Sequence, residues 1–256
     1  MGKEILTVKH AVKRFGGLTA LDDASIHVNE GEIVGLIGPN GAGKTTMFNA
    51  IDGVFHLTSG TILFNGQDIS TLPPNKRCHI GIGRTFQITE PFGGMTVLEN
   101  VAVGAMFGRR SSINLLSGKL MDESMAKAEE ILKDMDFYDK KDVRASTLNV
   151  PERKRLEICR ALATDPELLL LDEVIAGLNP SEVGEMVDLI CQVNRKGVTI
   201  LMIEHVMRAV MSLSDRMYVL NFGKLIAEGT PSEISSNPIV IEAYLGKIGQ
   251  KEAKQC

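Results

Sequence analysis

Apolar residues recur along this chain in two different periods, and the change from one to the other divides it. In the first third, "EILTVKHAVKRF", "LDDASIHVNEGEIVGLIG" and "SGTILFNGQDIS" are rich in valine, isoleucine and threonine, with Gly or Asn-Gly punctuation. That pattern predicts antiparallel edge strands around one buried strand, "EIVGLIG". "KTTMFNAIDGV" has helical spacing and ends near Gly53. From roughly 96 to 163 the spacing becomes helical and the charge rises, in "TVLENVAVGAM", "DESMAKAEEILKDMDF" and "ERKRLEICRALA". Strand character returns in "ELLLLDE", "VTILMIEH" and "RMYVLNFGKLIAEG", with helical "PSEVGEMVDLICQVNRKG" and "VMRAVMSLSD" between them. Wholly apolar strands alternating with helices predict a parallel sheet covered on both faces. The expected class is therefore α/β, with a helical block inserted into the core and a frayed tail, "KIGQKEAKQC".

Composition narrows the class without changing it. A chain of 256 residues with 44% apolar and 23% charged residues can fill one large α/β domain, or a core plus a small subdomain. A net charge of −4 argues against a surface built to attract nucleic acid or anionic lipid. The basic runs "KRLEICR" and "DKKD" are mixed with acids and read as solvated helix faces. Cys78, Cys159, Cys191 and Cys256 form no C-x-x-C pair, which suits reduced thiols better than a disulfide frame or a zinc site. No apolar leader follows Met1, and no apolar run is long enough to span a bilayer. The expectation is a soluble cytoplasmic protein that reaches a membrane only through a partner.

Two motifs carry chemistry. "GPNGAGKTT", residues 38 to 46, fits G-x-x-x-x-G-K-[ST] between a buried strand and a helix. Small residues there let backbone N–H groups curl around a phosphate at a helix N-terminus. Gly38, Pro39, Asn40, Gly41, Ala42, Gly43, Lys44, Thr45 and Thr46 are the candidate phosphate-binding residues. Lys44 can reach β- and γ-phosphate oxygens, and Thr45 can offer its hydroxyl to Mg²⁺. "LLLLDE" places Asp172 and Glu173 at the C-terminal end of an apolar strand, where ligands of open α/β sheets collect. Asp172 is the candidate Mg²⁺ partner, and Glu173 can orient or deprotonate an attacking water.

With these motifs in order, the chain resembles an ATP-binding cassette ATPase from about Leu6 to Gly246. The resemblance implies a P-loop NTPase core of the RecA-like kind, an antiparallel β subdomain and an inserted helical subdomain. Residues 1–87 and 164–246 would form the ATP-binding core, 88–163 the helical subdomain and 247–256 the tail. It also implies roles for three isolated residues: Phe15 stacking on adenine, Gln87 sensing Mg²⁺ and the γ-phosphate, and His205 meeting the γ-phosphate. "GLNP" matches the loop at the dimer interface, with Asn179 in place of the usual aspartate. "GKLIAEGTPSEISSNPIVIEAYLG" and "RTFQITEPFGGMTVLENVAVG" are similar to the ATPases of branched-chain amino acid importers, a group that includes urea and amide importers. The implied function is ATP hydrolysis that drives an importer, with ATP and Mg²⁺ as cofactors. Implied partners are integral-membrane permease subunits, a second ATPase subunit and, indirectly, a solute-binding protein. The location implied is the inner face of the cell membrane. Two other readings are a non-transport cassette ATPase acting on nucleic acid and a nucleotide-binding regulator that does not hydrolyse. A single phosphate loop and net acidity speak against the first, and an intact Asp172-Glu173 pair against the second.

One stretch departs from the family. "LNVPE", residues 148 to 152, stands where relatives carry Leu-Ser-Gly-Gly-Gln, the signature that closes on the nucleotide of the opposite subunit. Proline removes one N–H donor, and β-branched Val150 before it predicts an extended backbone. The helix is then expected to start at Pro151, with Asn149 donating through its amide in place of serine. Arg153 and Lys154 are the candidate charges for a phosphate. The alternative is a plain helix start that meets no nucleotide.

Overall fold

Five-residue strands without one exposed position mark the parallel part of this fold. The computed structural model describes residues 2–85, 90–109 and 118–244. Its contacts divide the chain into two units, one built from residues up to Pro73 and from Thr199 onward, the other from Pro74–Val198. In chain order the first unit supplies β1 (Glu4–Phe15), β2 (Leu18–Asn29), β3 (Ile33–Ile37), α1 (Lys44–Asp52), β4 (Ser59–Phe64) and β5 (Gln67–Asp68). The second supplies α2 (Pro74–Ile80), β6 (Ile82–Arg84), α3 (Val97–Phe107), α4 (Gly118–Asp134), α5 (Val150–Ala163), β7 (Leu168–Asp172) and α6 (Pro180–Arg195). The first unit then resumes with β8 (Thr199–Ile203), α7 (Met207–Leu213), β9 (Arg216–Asn221), β10 (Lys224–Gly229) and α8 (Pro231–Ser236).

In the first unit, β1, β2, β4 and β5 form an antiparallel sheet of order β2-β1-β4-β5. Register shifts in the β1–β2 ladder coincide with His10 and Asp23 at φ of 50° and 59°, the mark of bulges that twist a long strand pair. The expectation that these strands flank "EIVGLIG" is corrected. β3 lies outside their sheet and pairs in parallel with β8 on one side and β9 on the other. Every residue of β3 and β8 is buried, as parallel strands covered on both faces require. The strand character of "RMYVLNFGKLIAEG" resolves into an antiparallel hairpin, β9–β10, turned at Phe222 and Gly223. A partly buried ionic knot ties β2 to β9. Arg216 holds both carboxylate oxygens of Glu32 at 2.8 and 2.9 Å, the His27 carbonyl at 2.9 Å and the Tyr218 hydroxyl.

In the second unit, β6 and β7 pair in parallel, and α3 packs on α4 and α5. Fully buried Asn100 of α3 accepts from the Phe92 N–H at 2.9 Å and donates to the Phe92 and Thr96 carbonyls, which pins the turn before that helix. The expected helical insertion, 88–163, lies inside this unit. The unit is wider than the insertion because β6 and β7 cluster with the helices through the α5–β6 contact. No helix among the described residues is long and apolar enough to cross a membrane.

Candidate functional site

Residues 38 to 46 leave buried β3 and enter α1 through a loop that only glycine can make at two points. Gly38 has φ of 150°, and a Cβ there would sit 2.1 Å from the Leu220 carbonyl oxygen; Gly43 has φ of 107°, and a Cβ would sit 2.5 Å from the Ala20 oxygen. Gly43 is also the N-cap of α1 and makes no side-chain cap bond to its first turn, the end of a helix that favours an anion. Lys44 is 6% exposed, and its ammonium donates to the carbonyls of Gly38 and Pro39 at 2.8 and 3.0 Å. This is a positioned cation, not a loose surface lysine. Thr45 is exposed, Thr46 half-buried, and Asn40 and Gly41 face solvent while Pro39 and Ala42 are buried. A cavity of about 290 Å³ lies over the backbone from Gly41 to Thr46, walled by Leu18, Thr19, Ala20 and Phe222. Phe15, the expected adenine partner, ends β1 half-exposed, edge-on to Phe55 at 5.3 Å with Lys13 over its ring at 4.9 Å. It is not among the residues lining that cavity. Burial raises the pKa of the Tyr244 hydroxyl, a rise that the Gly38 backbone partly opposes.

Asp172 is the last residue of β7. Its carboxylate takes Arg84 Nη2 at 2.9 Å, the two side chains being 4% and 7% exposed. Its own N–H donates to Thr85 Oγ1 at 3.2 Å, and Thr85 is fully buried. The sequence signals Arg84 and Thr85 only by their place in "GRTFQ", three and two positions before Gln87. Glu173 leaves the strand with φ of 54°, a left-handed conformation rare for glutamate, and is only partly exposed. Its carbonyl accepts Lys154 Nζ at 2.9 Å. The expectation for Lys154 is thereby corrected: it is buried and spent on the Glu173 backbone. Arg153 likewise donates to the Leu148 and Ser146 carbonyls at 2.8 and 3.1 Å. His205 is exposed, two residues beyond β8. Gln87 lies outside the described residues. The Thr45 hydroxyl and the Asp172 carboxylate are hard oxygen donors, the chemistry Mg²⁺ prefers.

The helix start at "NVPE" is a capping box. Asn149 Oδ1 accepts the Glu152 N–H at 2.9 Å, and the Glu152 carboxylate accepts the Asn149 N–H at 3.0 Å. α5 begins at Val150, so Pro151 is its second residue, and the expected extended Val150 is corrected. Two reciprocal bonds outweigh the pre-proline preference, and Pro151 lacks only an N–H that a first helical turn leaves unsatisfied in any case. The Asn149 oxygen is occupied by the cap, which leaves its amide hydrogens as donors. Asn179, the other departure from the family, caps α6 in the same way, its Oδ1 accepting from Ser181 and Glu182.

The family model described as ABC transporter matches residues 21–176, and one described as branched-chain amino acid ATP-binding cassette transporter matches residues 224–248. The chain is 42% identical to the high-affinity branched-chain amino acid transport ATP-binding protein LivG of Salmonella typhimurium, across 96% of this chain and all of LivG. Its fold is similar to MJ1267, an ATP-binding cassette of an ABC transporter solved in its ADP conformation: TM-score 0.86 at 37% identity, over 95% of this chain and 99% of that one. MJ0796, a bacterial ABC transporter cassette solved as a dimer, is similar at TM-score 0.76 and 25% identity, over 88% and 98% of the two chains. A glycine-shaped loop around a buried lysine, a strand ending at Asp172 with Glu173 after it, and a likeness running nearly end to end agree: the chain belongs to the ABC transporter family, as an ATP-binding cassette.

Proposed function

We propose that this chain is the ATP-hydrolysing, energy-coupling subunit of an importer for branched-chain amino acids. One observation carries the reading: the likeness to LivG spans 96% of this chain and the whole of LivG. In this reading Lys44 leaves the Gly38 and Pro39 carbonyls for the phosphate chain, and the N–H groups of the loop and of the first turn of α1 hold the β-phosphate. Asp172 and Thr45, with Gln87, would hold Mg²⁺, which when bound neutralises charge on the transferred phosphoryl group. Glu173 orients and deprotonates the attacking water, and His205 contacts the γ-phosphate. The partners are permease subunits, a second cassette and a solute-binding protein beyond them, and the permease holds the chain at the membrane. Exposed Phe92 and Met95, on the turn that Asn100 pins, are the apolar contacts available to a permease segment.

The capped helix start supports pairing with a different cassette. With Asn149 and Glu152 bonded to each other and Arg153 and Lys154 engaged elsewhere, "LNVPE" offers a nucleotide few donors. A partner with a regular signature would complete the phosphate loop of this chain. Reconstitution with candidate permeases and solute-binding proteins tests the whole reading. Leucine, isoleucine or valine is expected to stimulate ATP hydrolysis and accumulate, and stimulation by urea or short amides alone would reassign the solute. Changing Asn149→Ser and Pro151→Gly together in that assembly is expected to leave the rate within about threefold, whereas losing one true transition-state donor costs 10²–10³-fold, about 2.7–4 kcal/mol.

A further inference from the structure

The rim of the phosphate-loop cavity carries an aromatic ring where the backbone disfavours one. Phe222 and Gly223 are the two central residues of the β9–β10 turn, with Asn221 and Lys224 paired across it. Their φ angles are 46° and 80°. Two-residue turns with both φ positive favour Asn, Asp or Gly at the first position, because a bulky side chain is crowded there. Phe222 accepts that strain while remaining 80% exposed, so packing within the chain does not offset it. The turn is nonetheless held firmly. The Gly223 N–H donates to the Ala42 carbonyl and its own carbonyl accepts the Asp22 N–H, each at 2.9 Å. Those bonds place Phe222 on the wall of the cavity over residues 41 to 46, beside Leu18, which is 66% exposed.

A cradle of N–H groups with an exposed apolar rim suits a ligand with phosphates at one end and a flat, weakly polar body at the other. Resting on the phosphate-loop reading above, we infer that Phe222, with Leu18, is the wall against which the nucleoside part of the nucleotide packs. Phe222 is then a substrate-contacting residue that sets affinity for the base and sugar. Phe15 does not line this cavity; it stands half-exposed at the end of β1, edge-on to Phe55.

Equilibrium binding of Mg-ATP and of Mg-tripolyphosphate to the full chain separates base from phosphate. Phe222→Ala is expected to weaken ATP roughly tenfold, as loss of one base–aromatic contact does, and to leave tripolyphosphate unchanged. Phe222→Asn, which suits the turn, is expected to lose the same affinity while keeping or raising Tm. The chain has no tryptophan, so Phe222→Trp installs a sole indole whose emission is expected to change with ATP and not with tripolyphosphate. Parental ATP affinity in Phe222→Ala would overturn the inference, and so would an equal loss for both ligands, which would make the ring a prop for the loop. An indole indifferent to ATP would also overturn it. Lys44→Ala guards the underlying reading. If that variant still binds both ligands, the phosphate-loop assignment fails; if it loses both while Phe222→Ala loses neither, only the inference about Phe222 fails.

Discussion

At the scale of single residues, the roles proposed for Lys44 and Glu173 lead to direct expectations. Lys44 donates to the Gly38 and Pro39 carbonyls, which hold its ammonium within the loop that the proposed function assigns to phosphate. Lys44→Ala is expected to lower ATP turnover of the assembled transporter by about 10²-fold or more, and Glu173→Gln by roughly 10²- to 10⁴-fold, the usual contribution of a general base. Steady-state phosphate release measures both. Glu173→Gln should bind ATP as the parent does, which separates a chemical role from a binding one. Arg84 belongs to a different class. It neutralises Asp172 inside the second unit, and Arg84→Met leaves a buried carboxylate without its cation, a change that costs about 3–5 kcal/mol. Urea unfolding of the full chain reads this loss. Arg84→Met combined with Asp172→Asn is expected to recover part of it, whereas simple additivity would show that the two side chains are not coupled.

At the scale of elements, one local device recurs. Thr96, Asn149, Asn179 and Thr230 each cap a helix whose third residue, Glu99, Glu152, Glu182 or Glu233, returns the bond. The pattern is legible in sequence as [S/T/N]-x-x-E, and it explains both departures from the family, at 149 and at 179. Asn149→Ala is expected to cost about 1 kcal/mol of stability and Asn149→Ser much less, as thermal or urea unfolding would show. The boxes also carry a pH dependence. The Asn149 N–H first, and Lys140 after it, hold the Glu152 carboxyl below its ordinary value of 4.5; the Thr230 N–H does the same for Glu233. A depressed acid stabilises the fold fully above its unfolded pKa and loses that contribution as pH falls through the folded one. Stability is therefore expected to drop below about pH 4.5, with a smaller drop in Glu152→Gln.

At the scale of the whole molecule, buried chemistry separates inert groups from working ones. Cys159 in α5 is fully buried, and burial pushes its thiol up to about 12. Cys78 and Cys191 are partly exposed. Native-state alkylation followed by mass spectrometry is expected to modify Cys78 and Cys191 well before Cys159, which should react only on unfolding. Arg216, whose pKa is raised by Glu32 and Tyr218 against the effect of burial, stays charged and keeps its bonds to Glu32 and to the His27 carbonyl of β2. What the sequence determined by itself was local: the Gly38-to-Thr46 loop, the Asp172-Glu173 strand end, the buried runs that became β3, β7 and β8, and the helix starts. Each of these is written in consecutive residues, so spacing and side-chain chemistry suffice. The tertiary structure alone decided which strands β3 pairs with, that Arg84 answers Asp172, that Lys154 is spent on the Glu173 carbonyl and that Phe222 stands over the phosphate loop. Those are meetings of residues far apart in the chain, and no local period encodes them; burial and pairing partners do.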